Sequence, residues 1–178
     1  SHRTRFDKDL ILMGVDSAFL RGEVNGRGRD FTLEAKLHRG KSRQLYSNGV
    51  RLKTAGELAG ILTTVLFCPE DLYLIREGAA ARRKFLDLAI CQLRPRYAAA
   101  LAEYRRLYEH KTRILRDSDE RPDLLDLLPD FNERMVRFGA VLIHYRQQFA
   151  QALNRDAARH HRECSGGRER LEITYQTV

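Results

Sequence analysis

Tryptophan is absent from this chain of 178 residues, and cysteine is scarce: Cys68, Cys91 and Cys164, widely spaced. None forms a C-x-x-C pair or a Cys/His cluster, so a zinc site is not indicated. An odd count with no signal sequence predicts free thiols in a reducing cytoplasm. No apolar run reaches the roughly 18 residues that mark a membrane span. The opening SHRTRFDKDL lacks the apolar core of a signal peptide. Nowhere does G-x-x-x-x-G-K precede Ser or Thr, so no loop is present to cradle β and γ phosphates. No Ser/His/Asp or Cys/His nucleophile pattern stands out either. His160-His161 has no Asp, Glu or Cys to complete a ligand set and reads as a surface helix end. Catalytic and metal-binding residues are therefore not expected.

What is present is an ordinary globular composition, 43% hydrophobic and 31% charged. That suffices for one core, with room for an appended lobe. The net charge is +8. Such an excess suits a polyanionic partner, most often nucleic acid, or simply a solubilising surface. Its location discriminates. Residues 82–116 hold ten Lys and Arg against three acids, a net +7 by subtraction. Nearly all of the excess sits there.

The first third reads as β. Phe19, Arg21 and Glu23, then Phe31, Leu33, Ala35 and Leu37, alternate with period two, predicting strands over 17–25 and 30–38. NGRGRD between them is a hairpin turn rather than a phosphate loop. A second hairpin, RQLYS and VRLKT, is joined by Asn48-Gly49, both of which tolerate positive φ. Thr54 and Glu57 form a capping-box pair ahead of a short helix, AGELAGIL. TTVLFC, continuous and β-branched, predicts a strand buried on both faces, ended by Pro69.

From about 79 to 164 the period becomes helical. Phe85, Leu86, Ala89, Ile90 and Leu93 form one apolar face. Tyr97, Leu101, Tyr104, Tyr108 and Leu115 continue it beyond Pro95. After the polar gap RDSDERPD, residues Phe131, Met135, Phe138, Leu142, Tyr145, Phe149 and Leu153 recur at steps of three and four. This long helix should pack antiparallel on the earlier ones, its aromatic stripe a core seam. After Ser165-Gly166-Gly167, LEITYQTV predicts a returning strand that pairs with the first lobe. The order is strands, a helical insertion, then a strand, which is an α+β chain.

Two constellations invite chemistry. Glu70 and Asp71 follow Pro69 at the end of the apolar run. They can be helix punctuation, complementing the dipole of a first turn, or acids placed where α/β sheets build sites. Arg82, Arg83 and Lys84 open a helix, the end where cations are disfavoured. They suit phosphate contact, a domain interface or a solvated face, and Arg83 can pair with Asp87 at i,i+4. Arg105, Arg106 and Arg113 lie on neighbouring faces of one helix, away from the tyrosines. With Lys111 and Arg116 they form an electrostatic footprint for a phosphate backbone, one that holds without reading sequence.

VLFCPEDLYLIREGAAARRKFLD resembles the central motif of the bacterial RecF family, in which a strand, F-x-P-E-D-L, a glycine and R-R-x-F-L-D follow in this order. SHRTRFDKDLI is similar to the segment after that family's phosphate loop. PRYAAALAEYRRLYEHKTRILRD, FGAVLIHYRQQF and SGGRERLEITY resemble its arm helices and the strand after them. The resemblance implies the β-rich part of an ABC-type ATPase head (1–75), an inserted antiparallel helical arm (76–165) and a return strand to the head (166–178). It implies a DNA replication and recombination-repair protein of the SOS response. The intact protein would bind ATP with Mg²⁺, dimerise, bind DNA at gaps, and act with RecO and RecR to load RecA. The phosphate loop would lie before Ser1 and the signature motif after Val178, so this portion alone is expected to bind no cofactor and not to hydrolyse ATP. By the same comparison Glu70 and Asp71, with Arg3 and Thr4, couple nucleotide state to arm position. Arg82, Arg83, Lys84, Arg105, Arg106, Lys111, Arg113 and Arg116 are the DNA-contact candidates. The alternative is a protein-interaction module that docks the sister subunit or RecO and RecR without touching DNA.

Overall fold

Among the described residues, four antiparallel strands pair in sequence order after a 3-10 turn at Asp7–Leu10: β1 (Ser17–Gly26), β2 (Arg29–His38), β3 (Gln44–Ser47) and β4 (Val50–Arg51). The structure, a computed structural model, describes residues 6–26, 28–58 and 61–177, apart from the side chain of Glu70. The two long strands lie within one residue of the ranges that the alternation predicts. They pair through a register running from Ser17 opposite His38 to Gly26 opposite Arg29. Between β3 and β4, Asn48 and Gly49 take φ of 49° and 78°, the mirror-image turn that matches strand twist. Asn48 also joins this turn to β2. Its Oδ1 accepts from the Thr32 N–H at 2.7 Å, and its own N–H donates to the Thr32 carbonyl at 2.8 Å.

At the end of β2, Arg39 holds the loop that precedes the sheet. Its guanidinium donates to the carbonyls of Val15 (2.9 Å), Leu12 (3.2 Å), Ile11 (3.3 Å) and Lys8 (3.4 Å). One side chain thus satisfies four backbone acceptors that have no ladder. Ile11 and Leu37 are buried beside it.

Two expectations for this region change. The predicted helix AGELAGIL is a 3-10 turn over Ala55–Leu58, and residues 59 and 60 lie outside the described ones. Half of the expected cap forms: Glu57 Oε1 accepts from the N–H groups of Lys53 and Thr54, each at 2.7 Å, while the Thr54 hydroxyl donates to that same oxygen at 3.4 Å instead of accepting from the turn. TTVLFC carries no ladder among the described residues, and Val65, Leu66 and Phe67 are exposed. A strand is stabilised by neighbours, and an apolar run without them has neither ladder partners nor cover.

The rest is helical: α1 (Ala79–Leu93), α2 (Pro95–Asp117) and α3 (Leu128–Cys164). Pro95 ends α1 and starts α2, as proline suits a first helical position. The chain divides into two compact units. One takes the described residues up to Arg82 with Gln92–Pro95; the other takes Arg83–Cys91 and Arg96 onward.

In the second unit α2 and α3 run antiparallel. His110 stacks on Phe131 near one end, and Tyr97 meets Tyr145 edge-on near the other. Ile90, Tyr97, Ala100, Leu101 and Leu142 form the buried cluster, with Phe138, Tyr145 and Phe149 packed on it. The aromatic stripe of α3 is therefore a core seam. On α2 the buried face drifts from the expected stripe: Leu107 and Ile114 are buried, whereas Tyr108 and Leu115 are exposed. At about 3.6 residues per turn, steps of seven from Ala100 stay nearer the seam than steps of four from Tyr104.

Past Gly166 and Gly167, both at positive φ, LEITYQTV forms no ladder among the described residues. Instead the Ile173 N–H donates to Asn154 Oδ1 of α3 at 2.7 Å, and His161 contacts Glu169 at 3.1 Å. A polar side chain of α3 supplies the partner that a sheet edge would otherwise offer.

Candidate nucleic-acid interface

The basic stripe of α2 is built by helical geometry. Arg105, Arg106, Arg113 and Arg116 fall within roughly 100° of one another around the axis, at about 100° per residue. All four are exposed. Tyr97, Ala100, Leu101, Leu107 and Ile114 occupy the opposite, buried side. Burying that side fixes the stripe outward, so the packing of the core positions the cations.

The candidates differ in what else they touch. Arg106 pairs with Glu103 at 2.7 Å and Arg116 with Asp117 at 2.8 Å, both near the surface. Such exposed pairs add little stability and leave guanidinium donors for a ligand. The Arg116 contact lowers the pKa of Asp117. Lys111 lies off the stripe, on the side of Leu107 and Ile114, and its Nζ donates to Asn132 Oδ1 of α3 at 2.6 Å. Arg82 donates to the Glu77 carbonyl at 2.8 Å, within the first unit. Arg83 and Lys84 are exposed.

Beneath the stripe lies a polar network that sequence reasoning missed. Asp87 of α1 is buried, 7% exposed. Its Oδ1 accepts from Arg146 Nη2 at 2.8 Å and Nε at 3.0 Å, and from the Tyr97 hydroxyl. Arg105 approaches its other oxygen at 3.5 Å. Asp87 thus joins three helices, and its partner is Arg146 rather than Arg83. The side chain of Arg83 makes no hydrogen bond or ion pair with any described residue. Burial, and then the bond to Asp87, push the Tyr97 hydroxyl pKa well above its ordinary value. For Arg146, burial acts against the charge, but the hydrogen-bonded Asp87 carboxylate outweighs it and holds the pKa above normal. Cys91 is pushed up by burial and by the Asp87 charge. The signal was available: opposite charges sit on the apolar faces of two helices, beside Ile90 on α1 and between Leu142 and Phe149 on α3.

The acids after the apolar run are placed differently. Asp71 is the third residue of the 3-10 turn Pro69–Leu74, and its Oδ2 accepts from the Cys68 N–H at 2.7 Å. That bond closes a capping box. Glu70 stands in the same turn. Arg3 and Thr4 lie outside the described residues.

No family model matches the chain. A DNA replication and repair protein RecF of Agathobacter rectalis is 35% identical over 176 residues, 99% of this chain and 49% of that protein. Its counterpart from Clostridium acetobutylicum is 34% identical over 177 residues, again 99% of this chain and 48% of the relative. Two solved structures of the recombination mediator protein RecF in the RecFOR pathway, one with ATP and one with ATPrS, superpose with TM-scores of 0.85 and 0.84. Each is 28% identical and covers 93% of this chain and 45% of the solved one. The chain spans about half the length of the curated relatives it matches. Its mixed architecture of helices and antiparallel sheet is that of the corresponding part of RecF.

Proposed function

We propose that this chain, RecF-like along nearly its whole length, is a portion of a DNA replication and repair protein whose helical unit grips a phosphate backbone. The observation that carries this reading is the stripe of Arg105, Arg106, Arg113 and Arg116, held outward by the buried face of α2. Guanidinium groups on one helix face supply charge and forked donors to a phosphate backbone, without base edges to read. Lys84 adds a further exposed cation.

In the intact protein, ATP and Mg²⁺ would drive dimerisation, and RecO and RecR would be partners in loading RecA. The RecF structures with ATP and ATPrS in the RecFOR pathway support the ATP and the RecO and RecR parts of that reading. This portion contributes binding and positioning, since phosphoryl transfer needs a glycine-rich cradle, a lysine and Mg²⁺ together. Glu70 and Asp71 would serve as couplers, Asp71 through the cap it makes on the turn ahead of α1.

The test is fluorescence anisotropy of this chain with a gapped duplex across a salt series, beside a triple variant, Arg106→Gln, Arg113→Gln and Arg116→Gln. Lys111 is spared because it holds Asn132. Binding should weaken linearly in log salt, and the variant's slope should be shallower by roughly 2 to 3, near 0.9 per lost phosphate contact. Absence of binding at low salt would sink the reading. Salt-insensitive capture of RecO, RecR or a second copy would favour the docking alternative, for which exposed Tyr108, Leu115, Val136 and Ile143 offer apolar surface.

A further inference from the structure

The second unit carries an open cleft of about 470 Å³. Arg83 and Asp87 of α1, Tyr104 and Arg105 of α2, and Ile143 and Arg146 of α3 line it, with residues 175–177 along one side. That volume is in the range of small-ligand sites. Three guanidinium groups face one carboxylate, a net +2 by subtraction. Arg146 is committed to Asp87 and Tyr97, and its charge is balanced there. The two other guanidiniums are not. Arg105 is 63% exposed with only the 3.5 Å approach to Asp87, and Arg83 has no partner among the described residues. One stretch of the wall is apolar or aromatic, formed by Leu101, Tyr104, Leu142 and Ile143 around Gly139, and Gln176 and Thr177 add polar groups on another side.

We propose that this cleft binds one nucleotide unit, with its phosphate between Arg83 and Arg105 and its flat base against Tyr104 and the apolar wall. Two under-used guanidiniums suit a phosphate, which accepts forked bonds from both. An aromatic ring beside an apolar wall suits a base, whose faces stack without regard to sequence. Gly139 lines the cleft next to that ring and carries no side chain of its own. A methyl there would rest 3.5 Å from Tyr104 Cε2, an ordinary contact that narrows the cleft without a clash. The choice of a nucleotide rests on the nucleic-acid reading above; the cleft itself does not depend on Arg106, Arg113 or Arg116.

The ligand could arrive as a free mononucleotide or as the terminal nucleotide of a strand, and the experiment separates them. Calorimetric titrations of the 178-residue chain would use dAMP, deoxyadenosine, inorganic phosphate, and a short oligothymidine with either a 5′-phosphate or a 5′-hydroxyl. At least one phosphorylated nucleotide ligand should bind about tenfold more tightly than its unphosphorylated form and than phosphate alone. Arg83→Gln should remove about that factor. Gly139→Ala should weaken dAMP and deoxyadenosine together, while its unfolding midpoint stays level or rises, since alanine favours a helix. A preference seen only with the oligonucleotide assigns the site to strand ends; one seen with dAMP assigns it to mononucleotides. Equal affinities for phosphorylated and unphosphorylated ligands, or an Arg83→Gln variant that binds like the parent, would overturn the proposal. The stripe variant should leave dAMP binding unchanged. Failure to bind the gapped duplex with dAMP binding intact would therefore count against the stripe alone.

Discussion

Replacing Asp87 with Ala should be among the most damaging single changes in the helical unit. Asp87 is 7% exposed, and Arg146 is 13% exposed at its side chain. Removing the carboxylate deletes two charge-assisted bonds at 2.8 and 3.0 Å and leaves a guanidinium in a site largely closed to water. Breaking one side of a buried pair costs about 3 to 5 kcal/mol, most of it the stranded charge. The Tyr97 hydroxyl also loses its acceptor, although Arg146 Nε still donates to it at 3.0 Å. A domain has only about 5 to 15 kcal/mol in all, so this change should remove a large share of its stability. Asp87→Asn keeps an acceptor of the same shape and should cost less, about 1.5 to 3 kcal/mol. Arg105→Gln, which loses one exposed 3.5 Å contact, should cost under about 1 kcal/mol. Urea denaturation followed by far-ultraviolet circular dichroism would rank the three. The paired change Asp87→Ala with Arg146→Met should recover much of the loss, because no charge is then left buried. The reasoning fails if Asp87→Ala costs no more than Arg105→Gln, or if the paired change is as severe as the sum of its parts.

Tyr97 provides a pH test. Its folded pKa lies above the unfolded value of about 10. The unfolded chain therefore loses this proton first, and the stability it confers is complete below about pH 10 and falls as pH rises beyond it; Tyr97→Phe should flatten that fall in alkaline urea titrations. Leu142→Ala, at a site 3% exposed in the central cluster, should cost about 2 to 5 kcal/mol by transfer and cavity terms, read as a lower urea midpoint. Asn48→Ala loses the 2.7 Å bond from Thr32 and puts alanine, which tolerates the left-handed region less than asparagine does, at φ 49°; a loss of about 1 to 2 kcal/mol is expected, seen as faster amide exchange in β3 and β4. Arg39→Ala should raise exchange over residues 8–15 while leaving the β1–β2 ladder protected, since Arg39 binds the carbonyls of that loop.

Local rules determined much of this protein. Period-two alternation placed β1 and β2 within a residue, because side chains in a strand alternate faces whatever lies beyond them. Asn48-Gly49 specified its turn through φ alone, and Pro95 separated α1 from α2 by covalent geometry. The clustering of charge in residues 82–116 and the motif shared with RecF were likewise legible in one dimension. What tertiary structure decided depends on partners distant in sequence. TTVLFC and LEITYQTV have strand composition, but a ladder needs a neighbour, and none pairs with them among the described residues. Lys111 belongs to the basic stretch by composition; helix geometry turns it toward the side of Leu107 and Ile114, and packing alone gives it Asn132 of α3 as its partner. Asp87 was an i,i+4 partner of Arg83 by spacing, yet the pair that forms spans 59 residues, to Arg146. Spacing ranks only neighbours along a helix. In the interior, a carboxylate cut off from water is stabilised most by the guanidinium that packing buries beside it, and only the folded chain selects which one that is.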